Sequence, residues 1–176
     1  AVILFLNAAF NVIAWPFKHW QASRVSDGAF GVWYGCESVA TSVYETAYHW
    51  FNRLLCDAGF ETENVIGERK IYRVNCDAAL LDVRPQIKSH RELLHKTDYS
   101  YAQAVGARLH REGHPGLITN SARSNEGHNF VILNPEVLSN PLYHCQLTYQ
   151  LDGGHILVEK QPGETWLTIP SAVFAA

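Results

Sequence analysis

The sequence predicts an α+β fold, with a mixed, largely antiparallel sheet and flanking helices. Helix and strand patterns alternate irregularly along the first two-thirds of the chain and give way to hairpin-like strands, an order that favours α+β over a doubly wound parallel sheet. One stretch, residues 38–55, has a clear amphipathic helical period. The 176 residues, 47% hydrophobic and 18% charged, suffice for a hydrophobic core. We therefore expect a single domain over residues 1–176.

The first fifteen residues are strongly apolar and resemble the core of a signal peptide. However, no basic segment precedes them and no clean cleavage site follows. Asn7 and Asn11 interrupt the run, which is also too short to span a bilayer. We expect a buried helix or strand here. Residues 31–36, Gly-Val-Trp-Tyr-Gly-Cys, are rich in β-forming residues and predict a short strand.

Residues 38–55 predict a helix, because a 100° step separates apolar from polar side chains. The apolar arc comprises Val39, Ala40, Val43, Tyr44, Ala47, Trp50, Phe51, Leu54 and Leu55. Glu45 and His49 lie on the polar side, four residues apart.

The middle of the chain predicts strands at 69–74 and 78–83, then a loop or short helix at 88–96. A second helix is expected over 99–111, with Asp98 as its N-cap. Its predicted apolar stripe is Tyr101, Ala102, Val105 and Leu109. Residues 117–120 and 130–133 are short strand candidates.

The C-terminal part predicts a β-meander. Residues 144–151, 155–160 and 165–169 have strand character. Between them, Asp152-Gly153-Gly154 and Gln161-Pro162-Gly163 supply turn residues.

Composition excludes several classes of function. The net charge of −3 and the absence of a Lys/Arg run argue against direct nucleic-acid binding. The four cysteines form no C-x-x-C pair, so we expect free thiols in a reducing cytoplasm. There is no H-E-x-x-H among the nine histidines, and no G-x-G-x-x-G, P-loop or G-x-S-x-G motif. We predict no metal site and no resident cofactor.

An ordered set of features carries the functional argument. Arg24-Val-Ser precedes a Gly-rich turn, and Tyr34 closes the strand that follows. The next helix carries Glu45-Thr-Ala-Tyr-His. Further along come Gly-Leu-Ile-Thr-Asn-Ser-Ala-Arg, residues 116–123, and Gly-His-Asn, residues 127–129. This set, over about residues 20–135, resembles the RES domain, a family named for its Arg, Glu and Ser.

The resemblance implies a fold like that of ADP-ribosyltransferase toxins. It implies the toxin of a bacterial toxin–antitoxin pair that degrades NAD+ by phosphorolysis or hydrolysis, with inorganic phosphate as the co-substrate in the first case. It also implies an Xre-type helix-turn-helix antitoxin as partner.

Matching the family motif implies an active site of Arg24, Tyr34, Glu45 and Ser121, with Arg123 and Asn129 as further binding residues. The roles suit the residue types. A carboxylate stabilises the oxocarbenium-like state of nicotinamide–ribose cleavage, as in glycoside cleavage, which suits Glu45. The planar fork of Arg24 suits a pyrophosphate, and Tyr34 suits a stacked base. Ser121 is expected to donate to a phosphate or ribose oxygen, and Arg123 to serve inorganic phosphate.

Each residue also has a purely structural alternative. Glu45 could be a solvated helix residue, and His49 either orients Glu45 or lies at the surface. Arg24 could pair with Asp27, Tyr34 could belong to the core, and Ser121 could be a turn or cap residue.

Three activities remain open: NAD+ phosphorolysis or hydrolysis, transfer of ADP-ribose to a protein, and non-catalytic binding. Residues 56–68 do not fit the family pattern and suggest an insertion. The apolar start and the C-terminal hairpins either form a homodimer or antitoxin interface or complete the core.

Overall fold

The chain folds around one nine-stranded sheet in a computed structural model that describes residues 2–5 and 12–174. The strands are β1 Val2–Phe5, β2 Trp33–Cys36, β3 Val65–Cys76, β4 Leu81–Asp82, β5 Gly116–Asn120, β6 His128–Ile132, β7 Leu138–Asp152, β8 His155–Gln161 and β9 Glu164–Pro170. Their order is β4-β5-β6-β2-β1-β3-β7-β8-β9, with β4–β5 parallel and the other neighbours antiparallel. The predicted α+β class with a largely antiparallel sheet is confirmed.

The helices are few and mostly short. They are α1 Trp15–Lys18, α2 Val39–His49, α3 Cys56–Ala58 and α4 Ser100–Arg111, with a π-helix, Trp50–Leu55, joining α2 to α3. Short 3₁₀ turns occupy Arg84–Gln86, Arg91–Leu94, Pro135–Val137 and Ser171–Phe174. Within the two described ranges, no helix combines the length and apolar character needed to cross a membrane.

The predicted helix at 38–55 is confirmed, with a change of winding in its second half. Ser38 caps α2 by accepting a hydrogen bond from the Thr41 backbone N–H at 3.1 Å. From Trp50 the wider π turn advances each residue by a smaller angle, so a uniform 100° step no longer describes the helix. Leu54, which was predicted on the apolar arc, is consequently 52% exposed.

The main core lies between α2 and the C-terminal half of the sheet. Side chains from α2 and the π-helix, including Val43, Ala47 and Trp50, pack against Leu147, Tyr149 and other buried residues of β7 and β8. The predicted meander is confirmed, and each of its strands is longer than expected. Two roles were expected for the C-terminal hairpins, an interface or part of the core. Their buried face contributes to the core.

A second core cluster fixes α4 against the chain segment that carries Arg24. Val25 and Leu109 belong to this cluster. Gly106 faces the Val25 backbone so closely that an added Cβ would lie 2.0 Å from the Val25 carbonyl oxygen. Only a residue without a side chain allows this approach.

Several local predictions were wrong. The N-cap of α4 is Tyr99, because the Asp98 carboxylate accepts from the Ser100 N–H at 2.9 Å in a turn just before the helix. Tyr101, predicted on the apolar stripe, is 38% exposed. The strand expected at 78–83 is reduced to Leu81–Asp82, whereas that at 69–74 extends to 65–76.

The remaining predicted elements are present. β2, β5 and β6 match the strands expected at 31–36, 117–120 and 130–133 within two residues at each end. Part of the apolar N-terminus forms β1, which pairs with β3. The rest of the expectation for residues 1–11 falls outside the described residues.

Candidate active site

A cavity of about 560 Å³ opens beside β2, within the range of about 300–1,000 Å³ typical of small-molecule sites. Its floor is one face of the sheet, formed by side chains from residues 32–36, β5 and β6: Val32, Tyr34, Cys36, Thr119, Asn129 and Val131. One wall is α2 with the start of the π-helix. The rest of the lining includes α1, residues 21–24, Tyr99 and Arg123.

Glu45 projects from α2 into this cavity, and one of its two carboxylate oxygens is fixed. Its Oε1 accepts hydrogen bonds from Ser121 Oγ at 2.6 Å and from Asn129 Nδ2 at 2.7 Å. Within the described part of the chain, Oε2 has no hydrogen-bond partner. The carboxylate is thus held in one orientation with its second oxygen available to a bound molecule.

The two donors to Glu45 are themselves oriented by their neighbours. Ser121 Oγ accepts from the backbone N–H groups of Arg123 at 3.0 Å and Ser124 at 2.9 Å, so its own proton is directed to Glu45. Asn129 Oδ1 accepts from the Cys36 thiol at 3.2 Å, which turns the amide nitrogen toward Glu45. Burial raises the pKa of Cys36 to about 12, so this thiol remains a donor.

Tyr34 forms hydrogen bonds to the residues on either side of Arg24. Tyr34 donates its hydroxyl to Ser23 Oγ at 2.9 Å and accepts from the Val25 N–H at 3.3 Å. Burial raises the pKa of Tyr34 to about 12 despite these hydrogen bonds. The ring therefore faces the cavity as a neutral phenol.

The Arg24 guanidinium is held by residues 93–99. Its Nη1 donates to the His95 carbonyl at 2.6 Å, and its Cζ lies 4.5 Å from the centre of the Tyr99 ring. Burial lowers the pKa of Arg24, with Tyr99 and Glu45 opposing the shift. The alternative pairing with Asp27 does not occur, since the Asp27 carboxylate accepts from the Ala29 N–H.

Arg123 brings a second guanidinium to the same cavity. Its Cζ lies 3.4 Å from the centre of the Tyr48 ring, and its Nη2 donates to the Lys96 carbonyl at 2.8 Å. Arg53, from the π-helix, is a third arginine in the lining. The cavity therefore combines one carboxylate with three cations, a charge distribution that suits an anionic ligand with a developing positive centre.

His49 lies one helical turn after Glu45 and lines the same cavity. The His49 side chain is exposed, but the protein around the cavity reduces its hydration. This reduced hydration lowers the pKa of His49. In the described ranges its ring nitrogens have no hydrogen-bond partner. His49 does not bond Glu45, whose oriented oxygen is held by Ser121 and Asn129 instead.

The structure brings together all six residues singled out from the sequence. Five of them line the cavity: Arg24, Tyr34, Glu45, Arg123 and Asn129. Ser121 is buried behind Glu45. Its contact suits a positioning role better than the predicted donation to a phosphate or ribose oxygen.

Sequence reasoning missed several residues of the site: Trp15, His19, Ser23, Cys36, Tyr48 and Tyr99. Tyr48 lies within the Glu45-Thr-Ala-Tyr-His motif but was not singled out, and the other five lie outside the quoted motifs. All four cysteines are free. The residues for which the structure has positions contain no group of three or more His, Cys, Asp or Glu side chains suited to a metal ion.

Comparison with known proteins identifies the family. The model of the RES domain matches residues 6–152, most of the chain and more than the region over which the motifs were noticed. The chain belongs to the RES-domain family. The match includes residues 56–68, which comprise α3, the turn after it and the first four residues of β3.

A solved structure has the same fold. This chain is similar to one in the crystal structure of the M. tuberculosis MbcT–MbcA toxin–antitoxin complex, with a TM-score of 0.55 and 16% identity over 84% of this chain and 81% of the other. No curated protein matches the sequence.

Proposed function

We propose that this protein is a toxin-type enzyme that cleaves the nicotinamide–ribose bond of NAD+, by phosphorolysis or hydrolysis. The observation that carries the proposal is Glu45, a carboxylate in a cavity with Oε1 fixed by two donors and Oε2 available. Membership of the RES-domain family supports it.

The geometry suits a reaction in which positive charge develops on the ribose. Loss of nicotinamide leaves an oxocarbenium-like centre, and a fixed carboxylate stabilises that charge without reorganising during the reaction. The available Oε2 of Glu45 would accept a hydrogen bond from a ribose hydroxyl or face the ring. Nicotinamide departs as a neutral molecule from a cationic ring, so no acid is needed to protonate it.

The guanidinium groups of Arg24 and Arg123 would hold the anionic parts of the reactants. Arg24, whose forked side chain can bind two oxygens together, suits the pyrophosphate of NAD+. Arg123 suits inorganic phosphate as the acceptor, while water would take its place in hydrolysis. The Tyr34 ring on the floor offers an apolar face against which the bound dinucleotide can pack.

We further propose that an antitoxin protein, of the Xre helix-turn-helix type in this family, controls the enzyme in the cytoplasm. The support is family membership and the toxin–antitoxin complex in which the similar fold occurs. A protein partner also suits the chain's acidic balance, since the net charge of −3 does not favour a nucleic-acid backbone.

The test is NAD+ consumption by the purified protein, with and without inorganic phosphate, with products resolved by mass. ADP-ribose-1″-phosphate establishes phosphorolysis, and free ADP-ribose establishes hydrolysis. If the ADP-ribose part of NAD+ is labelled, label retained on protein would establish ADP-ribose transfer instead.

The matched variants are Glu45→Gln, which keeps the shape of the side chain but removes its charge, and Glu164→Gln, at an exposed position on β9. We expect the first to abolish nicotinamide release while the domain still folds, and the second to retain wild-type activity. Nicotinamide release by Glu45→Gln near the wild-type rate would contradict the mechanism. A folded wild-type protein that leaves NAD+ intact in both buffers would contradict the proposed activity and favour a binding role.

A further inference from the structure

We infer that Trp15 and His19 form a subsite that binds the adenine ring of the substrate. The inference rests on the proposed function, since it assigns the second half of NAD+ to a defined part of the same cavity. Neither residue belongs to the Arg-Glu-Ser pattern, and the sequence motifs did not mark them.

The two rings form a tilted aromatic pair that lines the cavity. Trp15 and His19 lie four residues apart, so they occupy one side of the α1 turn. Their ring centroids are 3.7 Å apart with planes tilted by 31°. Both line the cavity, and Trp15 is 50% exposed. A half-exposed indole beside a ligand cavity offers a large flat apolar surface to a ligand.

Tight packing fixes this aromatic pair in place. Pro16 occupies the first turn of α1, where its fixed φ suits a helix start. Beneath the turn, a Cβ added to Gly31 would lie 2.6 Å from both the Phe17 Cα and the Pro16 carbonyl oxygen. The backbone of α1 therefore rests directly on the residues that lead into β2. The Trp15 ring is presented from a defined platform rather than from a free loop.

Contacts along residues 31–36 lead in turn to α1, to Arg24 and to Glu45. This is the order in which adenine, pyrophosphate and the nicotinamide ribose follow one another in NAD+. At one end α1 packs on Gly31. In the middle Tyr34 bonds Ser23, the residue before Arg24. At the far end Cys36 bonds Asn129, which holds Glu45. At about 3.3 Å per residue, these five steps span at most about 17 Å.

With the ribose at Glu45 and the pyrophosphate at Arg24, the other half of the molecule extends toward α1. That half ends in adenine, an uncharged aromatic base. Stacking on an aromatic side chain is an effective contact for any base, because every base has a π-face. The aromatic pair thus lies where the chemistry of the substrate requires an aromatic surface.

The decisive experiment compares NAD+ with nicotinamide mononucleotide, which has the scissile bond but lacks the adenylate half. In Trp15→Ala we expect the KM for NAD+ to rise about ten-fold with little change in kcat, the effect of losing one base stack. The KM for nicotinamide mononucleotide should stay unchanged. Trp15→Phe should restore most of the affinity. Trp20→Ala, at an exposed indole in the same segment that does not line the cavity, is the matched control.

Binding of AMP, measured by calorimetry, provides a readout independent of turnover. We expect AMP to bind the wild type and Trp20→Ala alike, and Trp15→Ala about ten-fold more weakly. A wild type that cleaves NAD+, with a Trp15→Ala variant whose KM for NAD+ is unchanged or rises equally for both substrates, would overturn the subsite. If the wild type cleaves neither substrate, the proposed function fails, and AMP binding unaffected by Trp15→Ala would then overturn the subsite separately.

Discussion

Replacing Ser121 by alanine tests whether this residue positions Glu45 or contacts the substrate. The hydroxyl donates to Glu45 Oε1 at 2.6 Å and accepts from two backbone N–H groups, those of Arg123 and Ser124. It is buried and does not line the cavity. Ser121→Ala removes one of the two donors that fix the carboxylate, and leaves Asn129 as the other.

The size of the effect follows from these contacts. A hydrogen bond to a charged group contributes about 1.5–3 kcal/mol, and each 1.4 kcal/mol is ten-fold. If the bond acts by orienting Glu45 in the transition state, kcat should fall roughly 10- to 100-fold with KM nearly unchanged. The two N–H groups also lose their acceptor, at about 1 kcal/mol each. In a domain of this size the melting temperature should therefore fall by about 4–8 °C.

The assay is steady-state nicotinamide release by Ser121→Ala, Asn129→Ala and the double variant. Both donors hold the same oxygen, so their effects on kcat should be non-additive. Ser124→Ala, which removes a neighbouring hydroxyl that does not contact Glu45, is the control. A rise in the KM of Ser121→Ala at constant kcat would refute the positioning role and restore direct contact with the substrate. Strictly additive effects of the two substitutions would refute the shared function.

Other perturbations test separate parts of the structure. Arg24→Lys should weaken NAD+ binding about ten-fold, because a lysine cannot reproduce the fork that binds paired oxygens, and unchanged affinity in calorimetry would remove Arg24 from the site. Gly106→Ala should destabilise the domain by about 1–3 kcal/mol in chemical denaturation, since its Cβ would lie 2.0 Å from the Val25 oxygen, and Gly113→Ala, with open space around it but a positive φ, provides a comparison for backbone strain alone. Reduced hydration lowers the pKa of His49 from its ordinary value of 6.5, so the unfolded state takes up a proton more readily than the folded state, and stability falls as pH drops below 6.5. His49→Gln should flatten this decline in melting temperature between pH 7 and 5, and an unchanged pH profile would show that the shift does not affect folding.

Local patterns predicted the fold class because each pattern is a property of one element. The amphipathic period of residues 38–49 and the glycine turns between β7, β8 and β9 depend only on neighbouring residues. Predictions failed where a helix changes its winding or where pairing with a distant strand decides the structure. The π-helix rotates Leu54 outward. A second example is the strand at 78–83, which survives only where Leu81 and Asp82 pair with β5.

The candidate site was predictable through the family motif, which marks residues separated widely along the chain. Arg24, Glu45 and Asn129 were found because they match that motif in order. The aromatic residues Trp15 and Tyr99 were missed because nothing in their local sequence distinguishes them from core or surface aromatics.

The sequence by itself determined the chemical groups available: one carboxylate, two arginines and a serine in a fixed order, on a domain with an antiparallel sheet. Only the tertiary structure decided which atoms each group contacts. Ser121 donates to Glu45 Oε1 because two backbone N–H groups of the following turn donate to the serine oxygen. Asn129 reaches Glu45 Oε1 because β6 pairs with β2. Ser121 and Asn129 lie 76 and 84 residues after Glu45 in the sequence. That spacing does not indicate that their side chains meet the same carboxylate oxygen.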